Sequence, residues 1–308
     1  MTAVAAVDCG TNSIRLLIAE PGPDSSLVEL DRRLEIVRLG QGIDATGEFH
    51  PDALERTFAV TEQYAEAIRA ANVPPDRIHF VATSASRDAG NRDVFFEGIS
   101  QRLGVEPDVI TGDREAHLSF IGALSGVGDV AEPMMVMDIG GGSTELIIGS
   151  SDGTIEFARS LDIGSVRITE RFWPDGQPTP EQLGSAARYV DGLLDSSGAD
   201  FAGVHTWIGV AGTATTLAGV YLDLDEYDRK QVHRSTIPLP AISDLLARLS
   251  SSTVEEIRAI KSMHPQRADV ITAGTLIISR IAQRISADEL LISESDILDG
   301  IALELLGS

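Results

Sequence analysis

The first part of the chain alternates between short apolar runs and turn residues, a pattern typical of antiparallel strands. Three successive runs, AVAAVD, SIRLLIAE and SLVELDRRLEIVRLG, predict a β-meander. Residues 51–72 have a helical period and open with Pro51, which favours a first helical turn. A buried strand, a loop that carries Arg87, a helix over residues 92–103, a strand and a helix over residues 113–126 are predicted to follow.

The same order of elements begins again after residue 128. Three strands with glycine turns come first, and a helix over residues 180–196 follows them. The next strand, HTWIGVAG, leads into a helix that we expect to open at Thr213. The last segment, SDILDGIALELLG, predicts a terminal helix.

Two stretches that begin at Asp8 and Asp138 align without a gap and share Asp, Gly, Ser, Leu and Ile. Packing alone does not require the Asp-x-Gly-x-x-Ser frame, so we interpret the chain as two copies of one βββαβα module. The first domain is predicted at residues 1–123 with the terminal helix at 296–308. The second is predicted at residues 124–295.

The chain is acidic, with 47 Asp and Glu against 24 Lys and Arg and a formal net charge of −23. Such a surface repels nucleic acid and anionic membranes, so we expect neither as a partner. No apolar run is long enough to span a bilayer, and the N-terminus lacks the basic region of a signal peptide. The single cysteine, Cys9, excludes a disulfide framework. It fits a reducing compartment, so a cytoplasmic location is expected.

Three loops of small residues follow apolar strands, and each could hold a phosphate through backbone N–H groups. Two of them are the duplicated turns, where tight hairpins without a ligand are the alternative. The third lies before a predicted helix, whose N-terminus favours anions. The candidate phosphate-binding residues are Asn12, Ser13, Gly140, Gly141, Gly142, Ser143, Gly212 and Thr213.

Asp8 and Asp138 each end the first strand of a module. If the modules face each other across a cleft, both acids point into it beside the phosphate loops. Paired carboxylates next to phosphates favour Mg²⁺. The alternative is that each Asp caps its own turn.

Six stretches, in this order and over nearly the whole chain, resemble the Ppx/GppA phosphatase family of the actin/hexokinase/Hsp70 superfamily. DIGGGSTEL with an upstream Gly-x-x-Glu-Ala helix is specific to the family, whereas the Asp-x-Gly turn alone marks only the superfamily. The resemblance implies an α/β, actin-like (ribonuclease H-like) fold of duplicated domains with an interdomain cleft. The stretches are VDCGTNSIRLLI, VATSASRDA, TGDREAHLSF, MDIGGGSTELIIG, IGVAGTATTLA and RADVITAGTLI.

The resemblance also implies hydrolysis of a terminal phosphoryl group from polyphosphate or guanosine pentaphosphate (pppGpp), with Mg²⁺ or Mn²⁺ as cofactor. The family's catalytic glutamate falls on Glu115, and Arg114 replaces the glutamate that precedes it in the family. The family's phosphate-contacting arginine falls on Arg87, and its Asn-Ser pair falls on Asn12 and Ser13.

The second-module acids of the family fall on Asp138 and Glu145. Asp8, Asp138 and Glu145 form the predicted metal site, and Glu145 is also the second catalytic candidate. Longer family members carry a further C-terminal helical domain, so the 308 residues resemble the short form.

We expect an exopolyphosphatase that prefers short chains and uses Glu115 as general base. A pppGpp phosphohydrolase is the first alternative. A kinase of the same fold and a non-catalytic nucleotide-binding regulator stay open, as does a homodimer. His264 and Arg267 are further candidates for positions near the cleft.

Overall fold

The computed structural model describes residues 2–23 and 26–307, and the chain divides into two compact units. Unit 1 comprises Met1–Ser125 and Asp296–Ser308. Unit 2 comprises Gly126–Ser295. Within the described ranges, no helix has the length and apolar character that a membrane crossing needs.

Unit 1 contains a five-stranded sheet and helices on both of its faces. In chain order its elements before residue 126 are β1 (Val4–Cys9), β2 (Ser13–Pro21), β3 (Leu27–Ile36), α1 (Ile43–Thr46), α2 (Pro51–Ala70), β4 (Ile78–Ala82), α3 (Ser84–Asp88), α4 (Arg92–Leu103), β5 (Asp108–Val109) and α5 (Gly112–Val127, ending in unit 2).

Unit 2 contains a six-stranded sheet, and the chain returns to unit 1 with its last helix. The remaining elements are β6 (Met134–Ile139), β7 (Thr144–Gly149), β8 (Ile155–Leu161), α6 (Ser165–Phe172), α7 (Pro180–Ser196), β9 (Thr206–Val210), α8 (Ala211–Tyr221), α9 (Arg229–Val232), β10 (Thr236–Pro238), α10 (Leu239–Ser251), α11 (Val254–Arg258), α12 (Ile271–Ala282), β11 (Glu289–Ile292) and α13 (Ile297–Gly307).

The two sheets have the same topology, which is the order expected of a duplicated module. The unit 1 sheet runs β3-β2-β1-β4-β5, with an antiparallel meander and β4 parallel to β1. The unit 2 sheet runs β8-β7-β6-β9-β11, with β9 parallel to β6 and β10 added antiparallel at the edge.

Both faces of β1 are buried, so its sequence is an unbroken apolar run up to Asp8. Ala5 and Val7 pack in the core under α2 and α4, whereas Val4 and Ala6 pack in the core that α13 closes. Because side chains alternate along a strand, Asp8 lies on the α13 side.

Helices α5 and α13 approach each other at two glycines of unit 1. A Cβ on Gly122 would lie 1.8 Å from the Asp296 carbonyl oxygen, and one on Gly300 would lie 2.1 Å from that of Leu118. Only glycine allows such contact between two helix backbones, so α13 fixes the position of α5.

The structure differs from the sequence prediction in several places. Arg87 lies on the five-residue helix α3 and not in a loop. Helix α8 begins at Ala211, two residues before Thr213. The predicted strand EPDVITG is reduced to the two residues of β5, and helix α6 was not predicted. Helix α3 and strand β5 are too short to carry a clear hydrophobic period.

Candidate functional site

Each sheet carries one tight turn between its first two strands: turn 1 is residues 10–13 and turn 2 is residues 140–143. The N–H of Gly10 donates to the Ser13 carbonyl at 3.0 Å, and the N–H of Gly140 donates to that of Ser143 at 3.0 Å. Within the described residues, the two central N–H groups of each turn donate to no backbone carbonyl. Successive N–H groups of this kind form an anion-binding concavity.

Turn 1 also presents the side chain of Asn12. Its Oδ1 atom is buried and has no hydrogen-bond partner among the described residues. The carbonyl of Asn12 accepts from the N–H groups of Val37 and Arg38 at 3.1 and 2.9 Å, which fixes the turn from behind. A buried amide without a partner indicates a place for a polar ligand.

Turn 2 is held from behind by the start of α6. The N–H of Ser165 donates to the Gly140 carbonyl at 2.9 Å, and those of Val166 and Arg167 donate to the Gly141 carbonyl at 3.0 Å. A Cβ on Gly164 would lie 2.2 Å from the Gly141 carbonyl oxygen, so glycine is required there. Because the carbonyls are bound by α6, the free N–H groups of turn 2 are fixed in orientation.

Arg15 neutralises Asp8, the first-strand acid of unit 1. Its Nε and Nη2 atoms donate to Asp8 Oδ2 at 3.0 and 2.7 Å, and its Nη1 atom donates to Asp296. Burial raises the pKa of Asp8, and Arg15 offsets part of that rise. Arg15 was not among the predicted site residues, although it occupies the repeat position of Glu145.

Asp138, the first-strand acid of unit 2, has a second carboxylate as its cross-strand neighbour. Asp138 pairs with Glu145 in the β6–β7 ladder, and their residues are 6% and 1% exposed. Ser160, from β8, donates to Glu145 Oε1 at 2.7 Å. Two buried carboxylates directly opposite each other repel, and a bound cation lowers that repulsion.

This pair fits a divalent cation, whereas Asp8 is bound by Arg15. No group of three or more His, Cys, Asp or Glu in the described ranges could hold a metal ion by itself. Mg²⁺, however, is usually held by one or two carboxylates, with waters and substrate phosphates as its other ligands. Asp138 and Glu145 can supply these two carboxylate ligands.

Glu115 and Arg87 form an ion pair in unit 1. Glu115 lies in the first turn of α5 and is 8% exposed. The Nη1 atom of Arg87 donates to Glu115 Oε2 at 3.1 Å and to the Ile110 carbonyl at 2.8 Å. Arg87 therefore orients the Glu115 carboxylate.

Arg114, which replaces a glutamate of the family pattern, contacts Glu304 on α13. The side chains of Arg114 and Glu304 are 41% and 34% exposed, so this is a surface pair. Such pairs contribute at most about 1 kcal/mol.

In the third loop of small residues, which contains Gly212 and Thr213, polar groups form hydrogen bonds within the protein. Thr213 Oγ1 donates to the Ile139 carbonyl at 2.9 Å, and Arg267 donates to the carbonyl of Gly212 and, at 3.0 Å, to Thr216 Oγ1. His264 caps a short turn by accepting from the N–H of Gln266. Phosphate binding by Gly212 and Thr213 thus depends on the N–H groups at the start of α8, and it stays a prediction.

Comparison with known proteins gives a consistent picture over the whole chain. The chain is 42% identical to "Exopolyphosphatase 2" of Mycobacterium tuberculosis over 321 aligned positions, which cover 100% of this chain and 99% of that protein. It is 26% identical to "Guanosine-5'-triphosphate,3'-diphosphate pyrophosphatase" of Photobacterium profundum, covering 98% of this chain and 59% of that protein.

A solved structure described as an exopolyphosphatase-like protein superposes with a TM-score of 0.92 at 39% identity, covering 98% of this chain and 97% of that chain. This likeness and the two matching sheets confirm the predicted fold class. Residues 17–308 match the sequence model of the Ppx/GppA phosphatase family. The chain therefore belongs to the Ppx/GppA phosphatase family.

Proposed function

We propose that this protein is an exopolyphosphatase that releases the terminal phosphate from inorganic polyphosphate. The observation that carries the proposal is the 42% identity to a named exopolyphosphatase over the full length of both chains. The two turns with free backbone N–H groups and the buried Asp138–Glu145 pair supply the chemistry that such a substrate needs.

The turns bind the phosphate oxygens through backbone N–H groups. Turn 1 adds the side chains of Asn12 and Ser13, and turn 2 adds the hydroxyl of Ser143. The residue Ser143 is 3% exposed. Phosphoryl transfer depends on positioning and charge neutralisation more than on covalent catalysis. The carbonyls of both turns accept hydrogen bonds from neighbouring backbone N–H groups, so the turns can position the phosphate without a change of their own conformation.

Glu115 is the general base that takes a proton from the attacking water. Arg87 holds its carboxylate at 3.1 Å, so the acceptor oxygens are oriented before substrate binds. The same guanidinium clamps a phosphate oxygen. Positioned general bases typically contribute about 10²–10⁴-fold to the rate.

Asp138 and Glu145 would hold Mg²⁺ or Mn²⁺, and the ion would neutralise charge on the phosphoryl oxygens. The cross-strand position of the two carboxylates keeps both on one face of the sheet. Glu145 is fixed further by the hydrogen bond from Ser160.

A pppGpp phosphohydrolase is the second candidate, and the likeness to the Photobacterium profundum protein favours it. The discriminating experiment measures phosphate release from medium-length polyphosphate and from pppGpp, side by side, with Mg²⁺ or Mn²⁺. Higher kcat/KM on polyphosphate is expected. Higher kcat/KM on pppGpp would reverse the assignment, and release from neither would reject both.

A further inference from the structure

Thr11 is a central residue of turn 1, and its side chain and carbonyl are both held by other segments of unit 1. Its carbonyl accepts from the N–H of Gly40 at 2.9 Å. Its Oγ1 atom forms a hydrogen bond of 2.9 Å with Ser84 Oγ, in which either hydroxyl can donate. A Cβ on Gly40 would lie 2.3 Å from Thr11 Cγ2, so only glycine allows this close approach. These contacts fix the backbone of turn 1 around Thr11.

Ser84 is the first residue of α3, the short helix that also carries Arg87. The helix begins beside turn 1, because the N–H of Thr83 donates to the Cys9 carbonyl at 3.2 Å. Thr11 and Ser84 are 7% and 5% exposed, so solvent competes little for the bond between their hydroxyls. The bond therefore attaches α3 to turn 1 through side chains, in addition to the backbone contact.

Arg87 extends this attachment to the proposed base. Its Nη1 atom donates to Glu115 Oε2 at 3.1 Å and to the Ile110 carbonyl at 2.8 Å. Ser84 and Arg87 lie within one helical turn of each other on α3. A displacement of Ser84 would thus be passed directly to the guanidinium that orients Glu115.

Turn 2 is held in a different way. The repeat places Gly141 at the position of Thr11, so turn 2 has no side chain there. The Gly141 carbonyl instead accepts from the N–H groups of Val166 and Arg167 at the start of α6. Turn 1 is therefore held by a hydroxyl at the position where turn 2 is held by its backbone alone.

We propose that Ser84 is a positioning residue: through its bond to Thr11 it keeps turn 1 aligned with Arg87, and so with the proposed base. The inference rests on the proposed function, in which turn 1 binds phosphate oxygens and Glu115 activates the water. It adds a residue that acts on the reaction through Thr11 and not through contact with the substrate.

The same helix offers a matched control for the kinetic test. Ser86 is 0% exposed, and its Oγ atom has no hydrogen-bond partner among the residues that the structure describes. Ser84→Ala should lower kcat by about tenfold with little change in KM, because the substrate is bound but misaligned. Ser86→Ala should keep kcat within about twofold. A loss of kcat in Ser84→Ala no larger than that in Ser86→Ala would overturn the proposal.

Substitutions of Thr11 test the bond itself. Thr11→Val keeps the shape of the side chain but removes its hydroxyl, whereas Thr11→Ser keeps the hydroxyl and should retain most of the wild-type kcat. The double variant Ser84→Ala/Thr11→Val should match Ser84→Ala in kcat within about twofold, because each change removes the same bond. Losses that multiply in the double variant would reject the bond as the cause. Thr11→Val also replaces Ser84→Ala if that variant does not fold.

Amide hydrogen exchange gives a readout that needs no substrate. Two amides report on turn 1: the N–H of Gly10 donates to the Ser13 carbonyl, and the N–H of Gly40 donates to the Thr11 carbonyl. Their exchange reflects local opening of the turn. The measurement compares the wild type with the two serine variants in the absence of any ligand.

Ser84→Ala should speed exchange at both reporting amides by about fivefold, the loss that one net hydrogen bond corresponds to. Ser86→Ala should leave both unchanged, and exchange at Gly140 in turn 2 should stay as in the wild type for either variant. Unchanged exchange at the reporting amides in Ser84→Ala would overturn the proposal. Because exchange needs no turnover, this result decides the inference even if the protein hydrolyses neither polyphosphate nor pppGpp.

Discussion

Glu145 lies directly opposite Asp138 in the β6–β7 ladder, and both carboxylates are buried. Like charges in this arrangement repel each other and favour a bound cation. We expect Asp138→Asn and Glu145→Gln each to raise the metal concentration needed for half-maximal phosphate release by about tenfold or more. Asp152→Asn is the control, since Asp152 is an exposed acid of the same unit. Unchanged metal dependence in both site variants would exclude the pair as the metal site.

Glu115→Gln should lower kcat by about a hundredfold or more with little change in KM, because the amide keeps its shape but cannot accept the proton. The amide oxygen can still accept from Arg87. Glu304→Gln removes a surface partner of Arg114 and should leave kcat within about twofold. Near-normal turnover of Glu115→Gln would make Glu145 the first candidate for the base.

Gly164→Ala should displace turn 2, because its Cβ would lie 2.2 Å from a backbone oxygen of Gly141. Misplacement of about 1 Å in a positioning group can cost about a hundredfold in rate. Gly192→Ala is the matched control: it lies in α7, and nothing lies within 4 Å of its added Cβ. That variant should keep its activity and gain up to about 1 kcal/mol in free energy of unfolding. Activity of Gly164→Ala equal to the control would show that turn 2 does not position substrate.

We expect His233 to make the free energy of unfolding depend on pH. Its Nδ1 atom accepts from the N–H of Glu294 at 3.1 Å, and burial lowers its pKa. The nearby Arg234 and Arg229 lower the pKa further, whereas the Glu294 carboxylate opposes them. Since the folded state takes up the proton less readily than the unfolded state, stability should fall as the pH drops below about 6.5 and level off below the folded-state pKa.

His233→Asn should flatten this part of the pH dependence, because the amide oxygen can accept the same N–H without titrating. The measurement is urea unfolding of both proteins between pH 5 and pH 8, about the range in which histidine titrates. Parallel curves for the two proteins would assign the slope to other groups.

Chain length and salt should act together on the rate. With a net charge of −23, the surface repels each phosphate of a long polymer that lies outside the site. We expect higher kcat/KM on short-chain polyphosphate than on chains of hundreds of units. Screening over about 10 Å at 0.1 M salt should help long chains more than short ones. A rate that is highest on the longest chains at low salt would indicate a basic track on the surface.

The local pattern predicted the repeated part of the structure well. The meanders that begin at β1 and β6 and the turns at Gly10 and Gly140 all follow from apolar alternation and glycine spacing. The duplication followed from the same stretches, because equivalent residues repeat at equivalent positions. The resemblance to the family rested on six stretches spread over nearly the whole chain, of which two lie in these meanders.

The pattern of apolar and polar residues did not predict the contacts between segments that are distant in the chain. Arg15 and Asp296 are separated by 281 positions, and nothing in the period of either segment links them. Two further contacts depend on how segments pack. The start of α6 donates hydrogen bonds to the carbonyls of turn 2, and the Thr213 hydroxyl donates to the Ile139 carbonyl.

The sequence by itself therefore determined the strands, the turns and which residue types stand at their ends. Only the tertiary structure decided that Asp296, 281 positions from Arg15 along the chain, joins Asp8 at the same guanidinium. The physical reason is that apolar periodicity reports burial, a local property of each segment. The charge around a buried carboxylate depends on side chains that packing brings from elsewhere in the chain.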